Sequence, residues 1–132
     1  MPLNYQIDKE HRLVISTAWD VLTRQEVLLH QLQLSSDPKF NRDFFQLADL
    51  TQVTGVRDEN IFLPELCIPH IFSRRSRRAL IASSPLTFGL SRRFITLRAI
   101  MGGEEQMQVF KNRDEAVQWL FDEANEQFKR SA

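Results

Sequence analysis

Arginine is the residue with the clearest chemical potential in this sequence, and it is concentrated in one run. The segment Ser73–Arg78 reads SRRSRR and contributes four guanidinium groups: Arg74, Arg75, Arg77 and Arg78. A guanidinium group holds phosphate or carboxylate oxygens through paired hydrogen bonds. We expect the run, extended by Arg92 and Arg93, to form a basic patch that binds an anionic small molecule. The alternative is a solvated connection that pairs with the acidic last third of the chain.

Charge is balanced over the chain but unevenly distributed. There are 17 Lys and Arg residues against 17 Asp and Glu residues, so the formal net charge is zero. The range 66–103 nevertheless contains seven arginines and no Asp or Glu. A neutral total excludes nucleic-acid binding by bulk attraction, and no aromatic residues interleave with the arginine run to stack bases. We therefore expect a locally basic face and no nucleic-acid partner.

A second group of candidate site residues follows the ends of predicted strands. The stretch Phe44–Leu50 is apolar at nearly every position, which is typical of a parallel strand buried on both faces. The range 51–58 follows as a loop, and ligands of such sheets commonly bind at the carboxyl ends of the strands. We expect a binding cleft there, with these candidate residues: Trp19, Thr51, Thr54, Arg57, Asp58, Phe72, Ser83, Ser84 and Phe88.

Several of these residues also have a purely structural interpretation. Thr51 and Thr54 follow a strand, where hydroxyl groups commonly bond the local backbone. An acid at Asp58 would complement a helix dipole, and Trp19 would be a core residue. Ser84 precedes a proline, an arrangement typical of a helix N-cap followed by proline at the first helical position.

Catalytic motifs are missing from the sequence. No glycine-rich phosphate loop is present, and no G-x-S-x-G elbow surrounds Ser83 and Ser84. The three histidines have no ligand-like spacing to Cys67 or to a carboxylate. We expect no metal, no cofactor and no enzymatic activity. The alternative is a small hydrolase or transferase that uses a carboxylate pair such as Asp49 and Asp58.

Length and composition predict a single domain over residues 1–132. Hydrophobic residues make up 42% of the chain and charged residues 26%, which describes an ordinary globular domain. Neither a signal peptide nor an apolar run of about 20 residues is present, so we expect no transmembrane segment. The single Cys67 fits a reducing compartment, and we expect a cytoplasmic protein. A homodimer with a purely structural role is a further interpretation.

The start of the chain predicts a β-hairpin and then a capped helix. Apolar and polar residues alternate over residues 5–17 on both sides of a polar turn. Thr23 and Glu26 have the spacing of a capping box, which predicts the helix start. Val27, Leu28 and Leu32 are expected on its inner face, and Asp-Pro at 37–38 ends it.

The rest of the chain alternates strands and helices. Apolar patterns and capping signals predict these elements: a strand at 43–50, a helical region at 57–72, a strand at 79–82, a helix from Ser84 to Ile100, a strand at 107–110 and a helix at 113–128. Strands that alternate with helices pair in parallel. The predicted fold class is α/β, with a single five-stranded mixed sheet and about four helices.

Short phrases along the chain resemble the SpoIIAA-like family of the STAS superfamily, which is related to CRAL-TRIO lipid-binding domains. The matching phrases are Tyr5–Asp8 with Arg12–Val14, Asp37–Phe40, Asp49–Thr51, Ala79–Ala82 with Phe88–Leu90, and Val109–Phe110 with Ala116–Leu120. The resemblance covers nearly the whole chain. It implies a bacterial, non-enzymatic domain that binds a lipid-like ligand or a regulatory protein partner.

The resemblance breaks at the phosphorylation switch of this superfamily. The family pattern D-L-S-x-V-x-x-I-D-S-S-G-L is matched by Asp49–Thr51, Val53 and Val56. Arg57 then replaces the second aspartate, and Asp58 stands at the position of the phosphorylated serine. A serine kinase cannot modify a carboxylate, which already carries negative charge. The resemblance therefore implies binding without a serine-phosphorylation switch.

Overall fold

The structure is a computed structural model that describes residues 2–57 and 71–122. Its elements are the strands β1 (Leu3–Asp8), β2 (Leu13–Leu22), β3 (Phe45–Val56), β4 (Arg77–Ile81) and β5 (Gln106–Phe110), and the helices α1 (Arg24–Ser36), α2 (Pro85–Ile100) and α3 (Arg113–Leu120). The strands form one sheet in the order β1-β2-β3-β4-β5. β1 is antiparallel to β2, and all other neighbours are parallel. The predicted five-stranded mixed sheet is confirmed.

The described residues contain three helices rather than about four. The additional helix was predicted over residues 57–72, of which 58–70 lie outside the described part of the chain. The same applies to Asp58 and Cys67. The terminal helix, predicted to reach residue 128, is described as far as Leu120.

Both faces of the sheet are covered, because alternate residues of a strand point to opposite sides. On one face, which we call the α3 face, Leu47 and Ile81 pack with Leu120 of α3. On the other, the α1–α2 face, Val14 packs with Leu34 of α1, and Leu80 packs with Phe94 of α2. The hydrophobic core is thus two layers separated by one sheet.

The three described helix starts are each held by a polar side chain, as the sequence predicted for Thr23 and Ser84. Thr23, Ser84 and Asn112 accept a hydrogen bond from the backbone N–H three residues later, at 3.3, 3.1 and 2.9 Å. At Ser84 the capping is reciprocal, because Thr87 also accepts from the Ser84 N–H. These bonds satisfy N–H groups that have no partner within the helix.

The third strand is longer than predicted. The loop expected from Thr51 onward is wrong, since β3 continues to Val56 and carries both Thr51 and Thr54. β2 extends in parallel beside it, so that Leu22 lies opposite Val56. The β2–β3 ladder has two register irregularities near Asp20, whose φ is 57°, and it continues beyond the end of β4.

The inner face of α1 also differs from the prediction. His30, Gln31 and Leu34 are the buried residues of this helix, whereas the predicted core residue Leu32 is 54% exposed. Val27, by contrast, packs against Leu22 and its neighbours as expected. Apolar periodicity failed here because the sheet beneath α1 presents a polar partner, described below.

We predict that Gly103→Ala destabilises the fold by about 1–3 kcal/mol, the usual cost of overpacking. A Cβ at Gly103 would lie 2.9 Å from the Arg98 carbonyl oxygen and 3.0 Å from the Arg98 guanidinium carbon. Arg98 is 3% exposed and cannot move aside. Chemical denaturation measures the loss.

Gly89→Ala is the matched control, because nothing lies within 4 Å of a Cβ placed there inside α2. Alanine in a helix interior should leave stability unchanged or raise it by up to about 1 kcal/mol. Equal stability of the Gly103 variant and the wild type would contradict the prediction.

Candidate functional site

The arginine run is divided between the surface and the core. Arg74 and Arg75 are exposed, but β4 begins at Arg77, and Arg77 and Arg78 are only 1% and 8% exposed. The predicted patch of four surface arginines is therefore wrong for this pair. The alternative, a solvated connection paired with the acidic last third of the chain, is wrong about the solvation of this pair, but Arg78 does pair with Glu105 of that last third. Neighbouring strand residues point to opposite faces, so the two guanidinium groups enter different layers of the core. Arg92 and Arg93 are exposed on α2.

Arg77 closes the carboxyl end of α3. Its Nη1 donates to the backbone carbonyls of Trp119 at 3.1 Å, Leu120 at 3.0 Å and Asp122 at 3.1 Å. The guanidinium carbon also lies 5.5 Å from the centre of the Phe45 ring. The last carbonyls of a helix lack partners and carry partial negative charge, so a buried cation stabilises them. Arg77 thus fixes α3 on the sheet.

Arg78 belongs to a buried ionic cluster on the α1–α2 face. Its Nη1 donates to Glu105 Oε2 at 3.0 Å, and Arg98 Nη2 donates to the two Glu105 oxygens at 2.7 and 2.8 Å. The Arg78 guanidinium also lies 4.5 Å from the Phe72 ring centre. Burial alone would raise the pKa of Glu105, but the adjacent charges of Arg78 and Arg98 and the Arg98 hydrogen bond outweigh it and lower the pKa. The carboxylate is therefore ionised at neutral pH.

The cluster continues as a chain of hydrogen bonds to α1. Arg78 Nε donates to Gln46 Oε1 at 2.8 Å, and Gln46 Nε2 donates to Ser16 Oγ at 3.0 Å. Ser16 Oγ lies 2.9 Å from His30 Nε2. Burial, and secondly the charge of Arg78, lower the pKa of His30 to about 4. His30 is thus neutral at pH 7. Since no other described group accepts the serine hydrogen, the Ser16 hydroxyl donates to His30 Nε2.

The Ser16–His30 contact has the geometry of a nucleophile and its base but not the access. Ser16 is 4% exposed and His30 9% exposed, and the Ser16 oxygen is already an acceptor for Gln46. A substrate has no route to this oxygen, so the pair serves the fold. Sequence reasoning missed both this pair and the Glu105 cluster, because the partners come from distant parts of the chain and follow no motif.

Most of the predicted cleft residues lie at the edge of the sheet where β2 to β5 end, which we call the carboxyl edge. Thr51, Thr54, Arg57 and Ser83 are exposed there, and Trp19, Ser84 and Phe88 are half-buried. Asp58 lies outside the described residues. Phe72 is elsewhere: it is 3% exposed and packs edge-on against Phe40 in the core, before the start of β4.

Two cations that sequence reasoning missed complete the carboxyl edge. Lys111 directly follows β5, and its Nζ lies 5.9 Å from the centre of the Phe88 ring. Arg113 begins α3, and its Nη1 lies 3.9 Å from Asp49 Oδ2. The other Asp49 oxygen accepts from the Thr51 hydroxyl at 2.7 Å and the Thr51 N–H at 2.9 Å. The expectation that binding residues follow the ends of strands was applied to β2, β3 and β4. Applied to β5 as well, it would have identified both Lys111 and Arg113.

Helix ends add partial charge to the same edge. The N-cap residues Ser84 of α2 and Asn112 of α3 each lie two or three residues after a strand that ends at this edge. The amino end of a helix carries about half a positive charge. Among residues 2–57 and 71–122, no group of three or more His, Cys, Asp or Glu side chains could hold a metal ion. The carboxyl edge is therefore a polar and aromatic surface with three cations among its described residues, Arg57, Lys111 and Arg113.

No described helix, α2 being the longest, combines the length and the hydropathy needed to cross a membrane.

Comparison with solved structures defines the fold class. The chain is similar to the crystal structure of an uncharacterized protein of the DUF3478 family with a SpoIIAA-like fold, from Shewanella loihica PV-4. The TM-score is 0.57 at 17% sequence identity, over 89% of this chain and 93% of that one. The sequence matches no family model and no curated protein. The chain thus has a SpoIIAA-like α/β fold, as its short phrases implied.

We predict that Glu105→Gln costs about 3–5 kcal/mol of stability, because it leaves two buried arginines without their carboxylate. The substitution keeps the size of the side chain, which is only 1% exposed, so the loss of stability results from the lost charge and not from a change in volume. Urea denaturation at pH 7 measures the free energy of unfolding.

Glu104→Gln serves as the control, since Glu104 is the exposed neighbour and its removal should change stability by less than about 0.5 kcal/mol. Similar effects of the two substitutions would show that the ionic cluster is not a major determinant of stability.

We predict that Arg77→Met loosens α3 at its carboxyl end and costs about 1–3 kcal/mol, the range for leaving buried polar groups without partners. Methionine retains much of the buried apolar stem but cannot donate to the three carbonyls. Hydrogen exchange of the α3 amides locates the effect, and Arg75→Met at an exposed position is the control. Unchanged protection of α3 in the Arg77 variant would contradict the assignment.

Proposed function

We propose that this protein is a non-enzymatic SpoIIAA-like binding domain of a bacterial cytoplasm that takes up a lipid-like anion at its carboxyl edge. The observation that carries the proposal is the placement of Lys111 against the ring of Phe88, beside the first turn of α2. An apolar ring next to a cation offers one contact to a hydrocarbon portion and another to an acidic group. Ligand sites commonly combine apolar walls with a few polar groups in this way.

The surroundings of this pair support an anionic rather than a cationic ligand. Ser83 is exposed next to the amino end of α2, where backbone N–H groups and the helix dipole favour negative charge. Arg113 adds a second cation at the amino end of α3. Three carboxylates of the described chain lie near these cations: Asp49 is engaged by Arg113 and Thr51, and Asp114 and Glu115 are exposed in the first turn of α3.

Trp19 and the threonines of β3 extend the proposed surface along the edge. β2 and β3 run past the last residue of β4, so Trp19, Thr51 and Thr54 lie on a two-stranded extension. Trp19 is half-buried, while both threonines are exposed. An indole ring on such an extension provides apolar area for a long ligand.

The geometry gives no support to the alternative of a hydrolase or transferase. A catalytic carboxylate needs a free oxygen within reach of substrate. Both oxygens of Asp49 already have partners, and Asp58 lies outside the described residues. A regulatory protein partner and a structural homodimer remain outcomes that the experiment below distinguishes.

We predict that a long-chain fatty acid such as oleate binds to the purified protein and changes the fluorescence of Trp19. The change is measured in a Trp119→Phe background, so that Trp19 is the only remaining tryptophan. Lys111→Met should weaken binding about tenfold or more, equivalent to losing about 1.4 kcal/mol of interaction. Phe88→Ala should weaken it similarly through lost apolar contact.

Lys9→Met is the matched control, because Lys9 is exposed in the turn between β1 and β2, at the opposite end of the sheet. Native mass spectrometry before and after organic extraction tests for a ligand carried from cells. Absence of both fatty-acid binding and a co-purified small molecule would refute the proposal. A co-purified protein would then favour the regulatory partner, and a dimer in sedimentation the structural role.

A further inference from the structure

Helix α1 is attached to the sheet in an unusual way. Its buried residues are His30, Gln31 and Leu34, so two of the three are polar. Its leucines at positions 29 and 32 are 38% and 54% exposed. Most helices of globular proteins are held by an apolar stripe that faces the core. α1 combines the apolar contacts of Leu34 and Val27 with a polar contact of His30 at the centre of its inner face.

We infer that α1 is an acid-releasable helix: protonation of His30 detaches it from the sheet while the parallel strands remain paired. The contact that decides this is the 2.9 Å hydrogen bond between Ser16 Oγ and His30 Nε2. Gln46 donates to the same oxygen at 3.0 Å, and His30 Nε2 is the acceptor that the described residues offer the serine hydrogen, so that hydrogen points to His30. A proton on Nε2 makes the imidazole a donor to the serine oxygen and leaves the buried serine hydrogen without an acceptor among the described residues.

The groups around His30 oppose a positive charge at this position. From β1, the ring of Tyr5 meets the imidazole edge-on with centroids 5.5 Å apart, and β2 contributes the uncharged Ser16. From β4, the positive charge of Arg78 acts on the imidazole through the buried cluster. No carboxylate of the described residues forms an ion pair with His30.

The remaining charged groups near α1 already have partners of their own. Glu105 of the segment before β5 is shared by Arg78 and by Arg98 of α2. Asp37 at the end of α1 accepts from the Tyr5 hydroxyl at 2.9 Å. Glu26 in the first turn of α1 accepts from the Thr23 hydroxyl at 2.8 Å through Oε1, and its buried Oε2 has no hydrogen-bond partner among the described residues. None of these three carboxylates forms an ion pair with His30 in the docked helix.

The direction of the pH effect follows from linkage. Burial first, and the charge of Arg78 second, lower the pKa of His30 from 6.5 to about 4 in the docked helix. In the released helix His30 has the ordinary histidine pKa of 6.5, so the released state binds a proton at a higher pH than the docked state does. The attachment is therefore at full strength above about pH 6.5, weakens as the pH falls from 6.5 to about 4, and weakens no further below about 4. Each pH unit in that window lowers the docked-to-released ratio about tenfold.

Release concerns α1 rather than the whole fold because the other contacts of the sheet do not involve His30. β2, β3, β4 and β5 are joined by parallel ladders, and α3 is held by Arg77 on the opposite face. The surface uncovered by α1 includes Val14, Phe44 and the half-buried Ile7. Low pH would thus expose an apolar patch on an otherwise folded domain.

Hydrogen exchange on the full chain between pH 7.5 and 4 tests the inference. After correction for intrinsic rates, protection of the α1 amides should fall about tenfold per pH unit below about 6, while protection of β3 and β4 is retained. Simultaneous loss of protection in α1 and the central strands would indicate global unfolding and overturn the inference.

Two variants separate His30 from other acid effects. His30→Gln can still accept a hydrogen bond from Ser16 but does not titrate, so protection of α1 should become independent of pH in this window. His11→Gln is the control: His11 is exposed, its pKa is raised by its hydrogen bond to Asp8, and its loss should leave the wild-type slope. An unchanged slope in His30→Gln would refute the inference.

An NMR titration of the wild type covers the case in which His30→Gln fails to fold. The ring protons of His30 should report a pKa well below that of His11. A value near 6.5 for His30 would overturn the inference without any variant.

Discussion

The buried carboxylate of Glu105 is the interaction on which much of the α1–α2 face depends. Buried charges are costly unless they are paired and hydrogen-bonded, and Glu105 pairs with Arg78 of β4 and Arg98 of α2 at 2.7 to 3.0 Å. It thereby links the segment before β5 to a central strand and to a helix. Gly103 belongs to the same arrangement, because only a residue without a side chain lets the backbone pass this close to the Arg98 guanidinium.

One dipeptide connects the two layers of the core. Arg77 points to the α3 face and caps that helix, whereas Arg78 points to the α1–α2 face and joins the ionic cluster. Both guanidinium groups are buried and donate to backbone carbonyls, Gln46 and Glu105, so a ligand at the surface does not reach them. Arg77 and Arg78 are therefore structural residues, and the proposed ligand site is instead the carboxyl edge, where Lys111 and Arg113 lie.

The polar chain from Arg78 to His30 explains why helix α1 faces the sheet with polar residues. Gln46 and Ser16 occupy sheet positions that an apolar core would fill with aliphatic side chains. His30 completes the chain, and Leu32 is consequently turned outward. Periodicity predicted leucine inward because it weighs hydropathy alone and contains no information about which side chains the facing strands present. The same limitation applies to β3, whose extension beyond Leu50 depends on β2 lying beside it.

Local signals in the sequence determined most of the architecture. The caps at Thr23, Ser84 and Asn112 and the alternation of strands and helices suffice to predict the element order and the mixed sheet, because each depends on residues within a few positions of one another. Tertiary structure decided which charged and polar groups are buried. His30 meets Ser16 across 14 positions, Arg78 meets Glu105 across 27 and Arg77 meets Leu120 across 43. Burying each of these groups costs desolvation free energy, which the hydrogen bond or ion pair with its distant partner offsets. The sequence alone does not identify that partner.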